Sequence, residues 1–439
     1  LSGPRRSPRP SGGGGSQALQ LALGVDLGTS GLRVALMDPA GELRHQAGCA
    51  YPGPFVQPPT WQQGLIQLCS AIPSPLRCQV DVLAVAGTSG TLLAMDAAGY
   101  PLGDALPYNA AQPRWASRCR QLAAPGHPAA SANGTMARAL ELKHRYPHTH
   151  GLRHQAEWLT GWLLGQWRWG DLHNSLKLGW DPVRGNWSGA IGSQPWSGLL
   201  PRVVRPGHLL GSLHPPVANK LGLPATARVT AGTTDGNAAV LAVDPQPGDG
   251  VTVLGTTMAL KQLCPEPLQA AGVYSHPIGD QWLVGGASNS GGGVLRQFFD
   301  DATIATLSRQ LDPRHPTDLR YLPLPAPGER FPVDDPQLMP CLEPRPVSDA
   351  LFLQGLLEGI AAVEVRGWAR LRALGAPAVR RVLTVGGGAR NPTWRQLRQQ
   401  ALGRPVLNRP HASTAWGAAR LAHWGLAAAN GNAPTRPRP

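Results

Sequence analysis

Two short turns carry the residue types that hold phosphate. Gly28-Thr29-Ser30-Gly31 and Gly255-Thr256-Thr257 each follow an apolar run. Glycines at a strand end free backbone amides into a concave donor surface, and threonine and serine add hydroxyl donors. One such turn is also an ordinary hairpin; a copy in each half of the chain fits a nucleotide gripped from two sides. The Gly-x4-Gly-Lys loop is absent. Asp26 lies two residues before Gly28, at the end of an apolar strand. A carboxylate there is costly to bury without a cation or donors, so either a magnesium ion reached through water or the amides of the following turn should satisfy it. Asp235, in Gly232-Thr-Thr-Asp-Gly-Asn237, precedes the apolar run AAVLAV. It reads as the N-cap of a helix or as a general base for a substrate hydroxyl. The two are compatible, because a helix N-terminus favours the ionised carboxylate. Gly386-Gly387-Gly388 lets a flat base or ribose approach the backbone, and Asn391-Pro392 is an ordinary helix start that follows it. Gly291 to Gly293 offers the same access but reads first as a helix entry.

The elements that must position these residues follow from local pattern. LALGVDLGTSGLRVALMD reads as two strands around the first turn, and Glu42 to Ala50 as a third in an antiparallel meander. A helix with Trp61, Leu65 and Leu68 on one face precedes the strand Val80 to Ala86. The middle third is rich in Trp and Pro, with a helix over Gln155 to Leu164. VTVLGTTMALKQL repeats the opening device, strand, turn, strand, which predicts a duplicated domain. DPQPGDG marks the boundary. The spacing then predicts a helix over 349–374, a strand over Arg381 to Val385, and helices over Pro392 to Leu402 and Thr414 to Leu426. The expected organisation is a basic, disordered tail over 1–19, a first domain over 20–242, a second over 243–428 and a short disordered tail over 429–439.

At 439 residues, with 42% apolar and 15% charged residues, the chain suits two or three domains with a sizeable core. No stretch reaches the roughly 18 apolar residues of a membrane span, so no membrane partner is expected. The net charge of +14 comes from 40 Lys+Arg against 26 Asp+Glu, and only four of the basic residues are lysines. Scattered arginines among abundant Gly, Ala and Pro point to coding bias rather than a nucleic-acid surface, and no nucleic acid is expected. Six cysteines without a Cys-x-x-Cys pair support neither a metal knuckle nor a redox pair, and reduced intracellular thiols are the default. Leu1 to Ser16 lacks the apolar core of a secretory signal; a transit peptide is the alternative to a simple tail.

Taken in order, GVDLGTSG, LPYNAAQ at 106–112, HQAEWLTGWLLG at 154–165, GTTDGNAAV at 232–240, VLGTTMAL and VGGGARNPTWRQL resemble the FGGY carbohydrate kinases over about residues 21–426. Gly87-Thr-Ser-Gly-Thr91, the HQAEWL stretch and the short length are most similar to the compact D-ribulose kinases of cyanobacteria and plants, the xylulose-kinase-like group. The resemblance implies an α/β chain of two actin-like, ribonuclease H-like lobes flanking a cleft. Sugar would lie mainly on the first lobe and ATP on the second. It implies Asp26 as the magnesium-associated carboxylate and Asp235 as the catalytic base. Thr29 and Ser30 would form the first phosphate loop, Gly255, Thr256 and Thr257 the second, and Gly387, Gly388 and Asn391 the adenosine-side turn. Ser89, Asn109 and Asp235 would contact the sugar.

One stretch departs from the family. Its Asn-Asp-x-Arg is here Asn109-Ala110-Ala111-Gln112, so a carboxylate and a guanidinium are missing from the sugar side. The expectation is a cytoplasmic, monomeric or homodimeric kinase using ATP and Mg2+ on a small-molecule ketopentose, D-ribulose first and D-xylulose second. A non-catalytic actin-like nucleotide-binding protein is the rival.

Overall fold

The computed structural model describes residues 20–124 and 126–431. The tail expected over 1–19, and residues 432–439 of the one expected over 429–439, lie outside them.

The chain opens with β1 (Leu21–Leu27), β2 (Leu32–Met37) and β3 (Leu43–Cys49), paired antiparallel in sequence order. Helix α1 (Pro58–Ala71) then returns the chain to β4 (Val80–Gly87), parallel to β1. Helix α2 (Gln155–Leu164) follows, and β5 (Leu209–Ser212), β6 (Arg228–Thr230) and β7 (Thr233–Thr234) complete the sheet. Both β6 and β7 pair with β4 in parallel, and β5 pairs antiparallel with β6. Every residue of β1 is buried, as a strand covered on both faces requires. Leu21, Leu23, Val25 and Leu27 point into a core with Trp61, Leu65, Trp158 and Leu159. Leu92, Met136, Leu152, Leu178 and Ile191 belong to a separate small core built from parts of residues 92–200 outside α2.

After helix α3 (Asp235–Leu241) comes the second sheet. Its strands are β8 (Asp249–Leu254), β9 (Met258–Cys264), β10 (Val273–Ile278), β11 (Gln281–Ser288), β12 (Arg381–Val385) and β13 (Val406–Asn408), in the order β10-β11-β9-β8-β12-β13. β8, β9 and β11 are antiparallel neighbours, and β12 and β13 continue in parallel from β8. The run β11-β9-β8-β12-β13 therefore repeats β3-β2-β1-β4-β6 of the first sheet in order and direction, and the two glycine turns occupy equivalent hairpins. Helices α4 (Asp349–Ala373) and α5 (Pro392–Leu402) close the second lobe.

The last helix, α6 (Thr414–Ala429), does not stay with the second half of the sequence. It lies on the first sheet, where Ala419, Ala422 and Leu426 meet Ala22, Met37, Val82 and Ala84. Glycines allow the approach: a Cβ on Gly24 would fall 1.8 Å from the Ala415 carbonyl oxygen, and one on Gly417 would fall 1.8 Å from that of Ala238 in α3. A boundary at 242–243 separates the two sheets but not the helices that join them. Residues 429–431 are described, and Ala429 closes α6.

Candidate active site

The candidate residues collect at the carboxyl ends of parallel strands, where open α/β sheets bind ligands. Asp26 on β1 stands beside Ala86 on β4, which stands beside Thr233 on β7. Asp235 follows β7 directly, so the two carboxylates open on one gap about two strand spacings apart, roughly 10 Å along the sheet. Asp26 is buried, at 3% exposure. Its Oδ2 accepts from Arg33 Nη1 at 3.3 Å, while Oδ1 is buried with no partner. Burial pushes this carboxyl up to about 6; Arg33 pulls against that, and the charge of Asp235 adds to it.

Asp235 is not the N-cap of α3. Thr234 is, its Oγ1 accepting from the Asn237 amide at 3.4 Å, and Asp235 is the first helical residue. The pairing of Thr233 and Thr234 with β4 holds Thr234 extended, so Thr234 takes the cap position and the helix begins one residue earlier than a cap at 235 requires. Asp235 Oδ1 accepts from the Gly236 amide at 2.7 Å. Its carboxyl is hemmed in by protein yet still reaches solvent. Burial raises its pKa, opposed by the Gly236 amide, the charge of Lys177 and the Ser89 amide.

Ser89 thus meets Asp235 through its backbone, and its carbonyl accepts from Lys177 Nζ at 3.3 Å. Arg138 is buried beneath the same turn, donating to the carbonyls of Gly90, Ala110 and Asn133 at 2.8, 3.2 and 3.2 Å. It ties the loop of residues 108–112 beside Ser89, although the Asn109 side chain is exposed. Gln112 and Ala110 add no charge to this side of the gap.

Thr29 and Ser30 are exposed on a turn closed by the Gly28 amide on the Gly31 carbonyl at 3.0 Å, and Tyr51 Oη donates to Gly28 O at 2.7 Å. Thr256 and Thr257 are likewise exposed, with the Gly255 amide on Thr257 O at 3.1 Å. Gly291 to Gly293 do enter a short helix, and they also support this second turn. The Gly292 and Gly293 amides donate to Gly255 O and Thr256 O, both at 2.9 Å, so closely that a Cβ on Gly293 would meet Thr256 at 2.8 Å. Gly386 has φ +90, and its absent Cβ would strike Leu254 O at 2.7 Å; Gly387 is exposed beside open space. Asn391 caps α5, Oδ1 accepting from the Trp394 amide at 2.9 Å, and its Nδ2 donates to Ser308 Oγ at 2.8 Å. Both ends of that side chain are engaged in the fold, so Asn391 shapes the glycine turn from behind.

Sequence reading missed Arg33, Lys177 and Lys261. Arg33 had a signal, since a tight turn at 28–31 pairs position 33 with position 26. Lys177 and Lys261 had only scarcity to mark them, as two of four lysines. A cavity of about 760 Å³ between the lobes, lined by Pro206, Leu241, Ile278 and Trp424, contains none of the candidate residues.

Residues 250–426, from β8 into α6, match the FGGY family of carbohydrate kinases, C-terminal domain. Over this segment the chain is similar to the FGGY C-terminal domain. The chain is 28% identical over 248 residues to an L-fuculokinase of Salmonella typhi, 52% of this chain and 49% of that protein, so it spans about half the length of this curated relative. Beyond the matched segment, the likeness is one of fold. A xylulose kinase from Brucella ovis aligns over 94% of this chain and 92% of its own, with a TM-score of 0.81 and 23% identity. A glycerol kinase from Plasmodium falciparum, solved with ADP, aligns over 93% and 90%, with a TM-score of 0.78 and 14% identity. The architecture is accordingly mixed α/β, with two actin-like lobes, and the matched segment includes most of the helix that lies on the other lobe's sheet. Among the described residues no helix is long and apolar enough to cross a membrane.

Proposed function

We propose that this chain is an ATP-dependent sugar kinase that phosphorylates the terminal hydroxyl of a ketopentose, D-ribulose to D-ribulose 5-phosphate, with D-xylulose as the second candidate. The observation that carries the reading is the pair Asp26 and Asp235, close enough for the charge of Asp235 to act on Asp26, at the ends of strands on either side of β4, beside a duplicated threonine-bearing turn. Asp235 accepts the proton of the sugar hydroxyl. The hydroxyl oxygen uses a lone pair to bond the terminal phosphorus of ATP, and the bond from that phosphorus to the bridging oxygen breaks, leaving its electron pair on ADP. Thr29, Ser30, Thr256 and Thr257 offer hydroxyls and amides to phosphate oxygens, and Gly387 leaves room on the adenosine side.

The orphaned Oδ1 of Asp26 fits a hydrated cation. Among the described residues no group of three or more His, Cys, Asp or Glu is arranged to hold a metal alone, which suits an ion completed by phosphate and water. Magnesium, when bound, neutralises charge on the phosphate oxygens. Ser89, Asn109 and Asp235 border the sugar side, and the missing charges at Ala110 and Gln112 leave the choice of pentose to backbone groups and shape.

Two measurements test this. ADP release with D-ribulose, D-xylulose, L-ribulose, ribitol and glycerol side by side should show sugar-stimulated turnover, highest with D-ribulose. Asp235→Ala should keep ATP binding while turnover drops about 10²–10⁴-fold; unchanged turnover would remove Asp235 as base. ATP binding with no stimulation by any sugar would favour a non-catalytic nucleotide-binding protein, the reading that Ala110 and Gln112 support.

A further inference from the structure

Two of the four lysines reach the gap from opposite lobes, and neither makes an ion pair among the described residues. Lys177 lies beside the first lobe, its Nζ on Ser89 O at 3.3 Å. Lys261, on β9 of the second, follows Thr257 by four residues and places Nζ 3.3 Å from His276 Nδ1. An ammonium has three donors, and in each case the fold engages one.

The two histidines nearby cannot share the charge. His173 places Nε2 2.9 Å from the Pro277 carbonyl and Nδ1 2.7 Å from Thr233 Oγ1. A carbonyl only accepts, so Nε2 carries the proton, and a neutral ring then accepts from Thr233 at Nδ1. Burial holds His173 down at about 4. His276 packs edge-on against it, with ring centroids 5.2 Å apart. Burial, then Lys261, His173 and Lys177, keeps His276 neutral, so its Nδ1 accepts from Lys261. His173 thereby ties β7, just before Asp235, to the second lobe. Any positive charge here is left to the lysines, and burial opposes it: burial brings Lys177 down to about 8 against the pull of Asp235, and brings Lys261 to about 7 with the charge of Lys177 adding to the effect, so an anion between them would favour their charged forms.

A ligand anion lying between these ammonium groups would supply the missing counter-charge. Lys177 donates to the Ser89 carbonyl at 3.3 Å and lies near enough to Asp235 for the charge of that carboxylate to act on it, so whatever touches Lys177 is a neighbour of the atom that Asp235 deprotonates. The group that passes from a ligand on the second lobe to a ligand on the first is the phosphoryl group. We propose that Lys177 is a further catalytic residue, which with Lys261 from the opposite lobe grips the phosphoryl group during its transfer to the sugar. This rests on the kinase reading above. As Asp235 takes the proton and the bridging P–O bond breaks, the equatorial oxygens keep their negative charge, and the two lysines, held charged by the bound anion, stabilise it from fixed positions.

The test uses the full chain and whichever panel sugar it phosphorylates best. Lys177→Met keeps the length of the stem and removes the charge. It should lower kcat about 100-fold or more while KM for sugar and ATP stays within about threefold. In calorimetry it should weaken binding of the sugar phosphate about tenfold and leave the free sugar nearly unchanged. Lys177→Arg should recover part of kcat, and Lys261→Met should show the same split, which covers a Lys177→Met protein that fails to fold. Wild-type kcat in Lys177→Met, or equal weakening of sugar and sugar phosphate, overturns the assignment and leaves the kinase reading standing. A wild-type chain that phosphorylates no sugar of the panel overturns both.

Discussion

Asp26 is placed where a carboxylate is unwelcome until a ligand arrives. Burial raises its pKa from 3.8 to about 6 despite Arg33, so ionising it costs folding free energy. The sign follows from linkage: a carboxyl whose pKa is raised by folding contributes most in its protonated form, below the unfolded pKa, and that contribution is lost as pH rises through about 6. Asp26→Asn should therefore be more stable than the ligand-free wild type at pH 7.5, by on the order of 1–3 kcal/mol, with the difference vanishing towards pH 4. Urea unfolding at the two pH values measures it, and lower stability of Asp26→Asn at pH 7.5 would mean that the Arg33 contact outweighs burial. Added magnesium nucleotide should reverse the order, because the wild-type carboxylate then has a partner. The positions of Asp26 and Asp235 were legible because an acid ending an apolar run beside glycines is conspicuous. Lys177 was not, since nothing within several residues of it hints at Ser89.

At the scale of elements, the second lobe is braced by a buried ion pair behind its β8–β9 hairpin. Arg398 of α5 donates from Nε to Glu364 Oε2 at 2.6 Å and from Nη2 to Oε1 at 2.8 Å, and from Nη1 to Thr384 Oγ1 at 2.8 Å. Glu364 of α4 also accepts from Thr252 Oγ1 on β8. Side-chain exposure is 1% for Arg398 and 0% for Glu364. Removing one member strands the other in the core, so Glu364→Gln should cost about 3–5 kcal/mol. Chemical denaturation reads the loss, and a cost below about 1 kcal/mol would class the pair with exposed salt bridges. The helices carrying this pair were readable: 392–402 is bounded by Asn-Pro and Gly, and the one expected over 349–374 runs Asp349–Ala373. Short strands such as β5 and β7 were not, because they form by pairing with partners already in place rather than from their own pattern.

At the scale of the whole molecule, α6 is the fastening between lobes. It follows the second sheet in sequence and lies on the first, so any change in the angle between lobes must be taken up around it and α3. Gly24→Ala puts a methyl against the backbone of α6, with Ala415 O at 1.8 Å and Ala419 N at 2.3 Å, and neither can yield as a side chain would. Destabilisation of about 1–3 kcal/mol or more is expected, with earlier proteolytic release of the C-terminal helix. A Gly24→Ala protein as stable as wild type would show that the helix sits further from the sheet.

By itself the sequence determined the two strand-turn-strand hairpins, most of the long helices, the equivalence of the two halves and the carboxylates between them. Apolar period, glycine turns and helix caps act over a few residues and are written locally. Only the tertiary structure decided that α6 crosses to the first sheet, that Thr234 rather than Asp235 caps α3, and that Lys177 and Lys261 come to one gap. Those outcomes depend on contacts such as Lys177 with Ser89, 88 residues apart, and Thr252 with Glu364, 112 apart. They are fixed by close packing between elements, which no local pattern encodes.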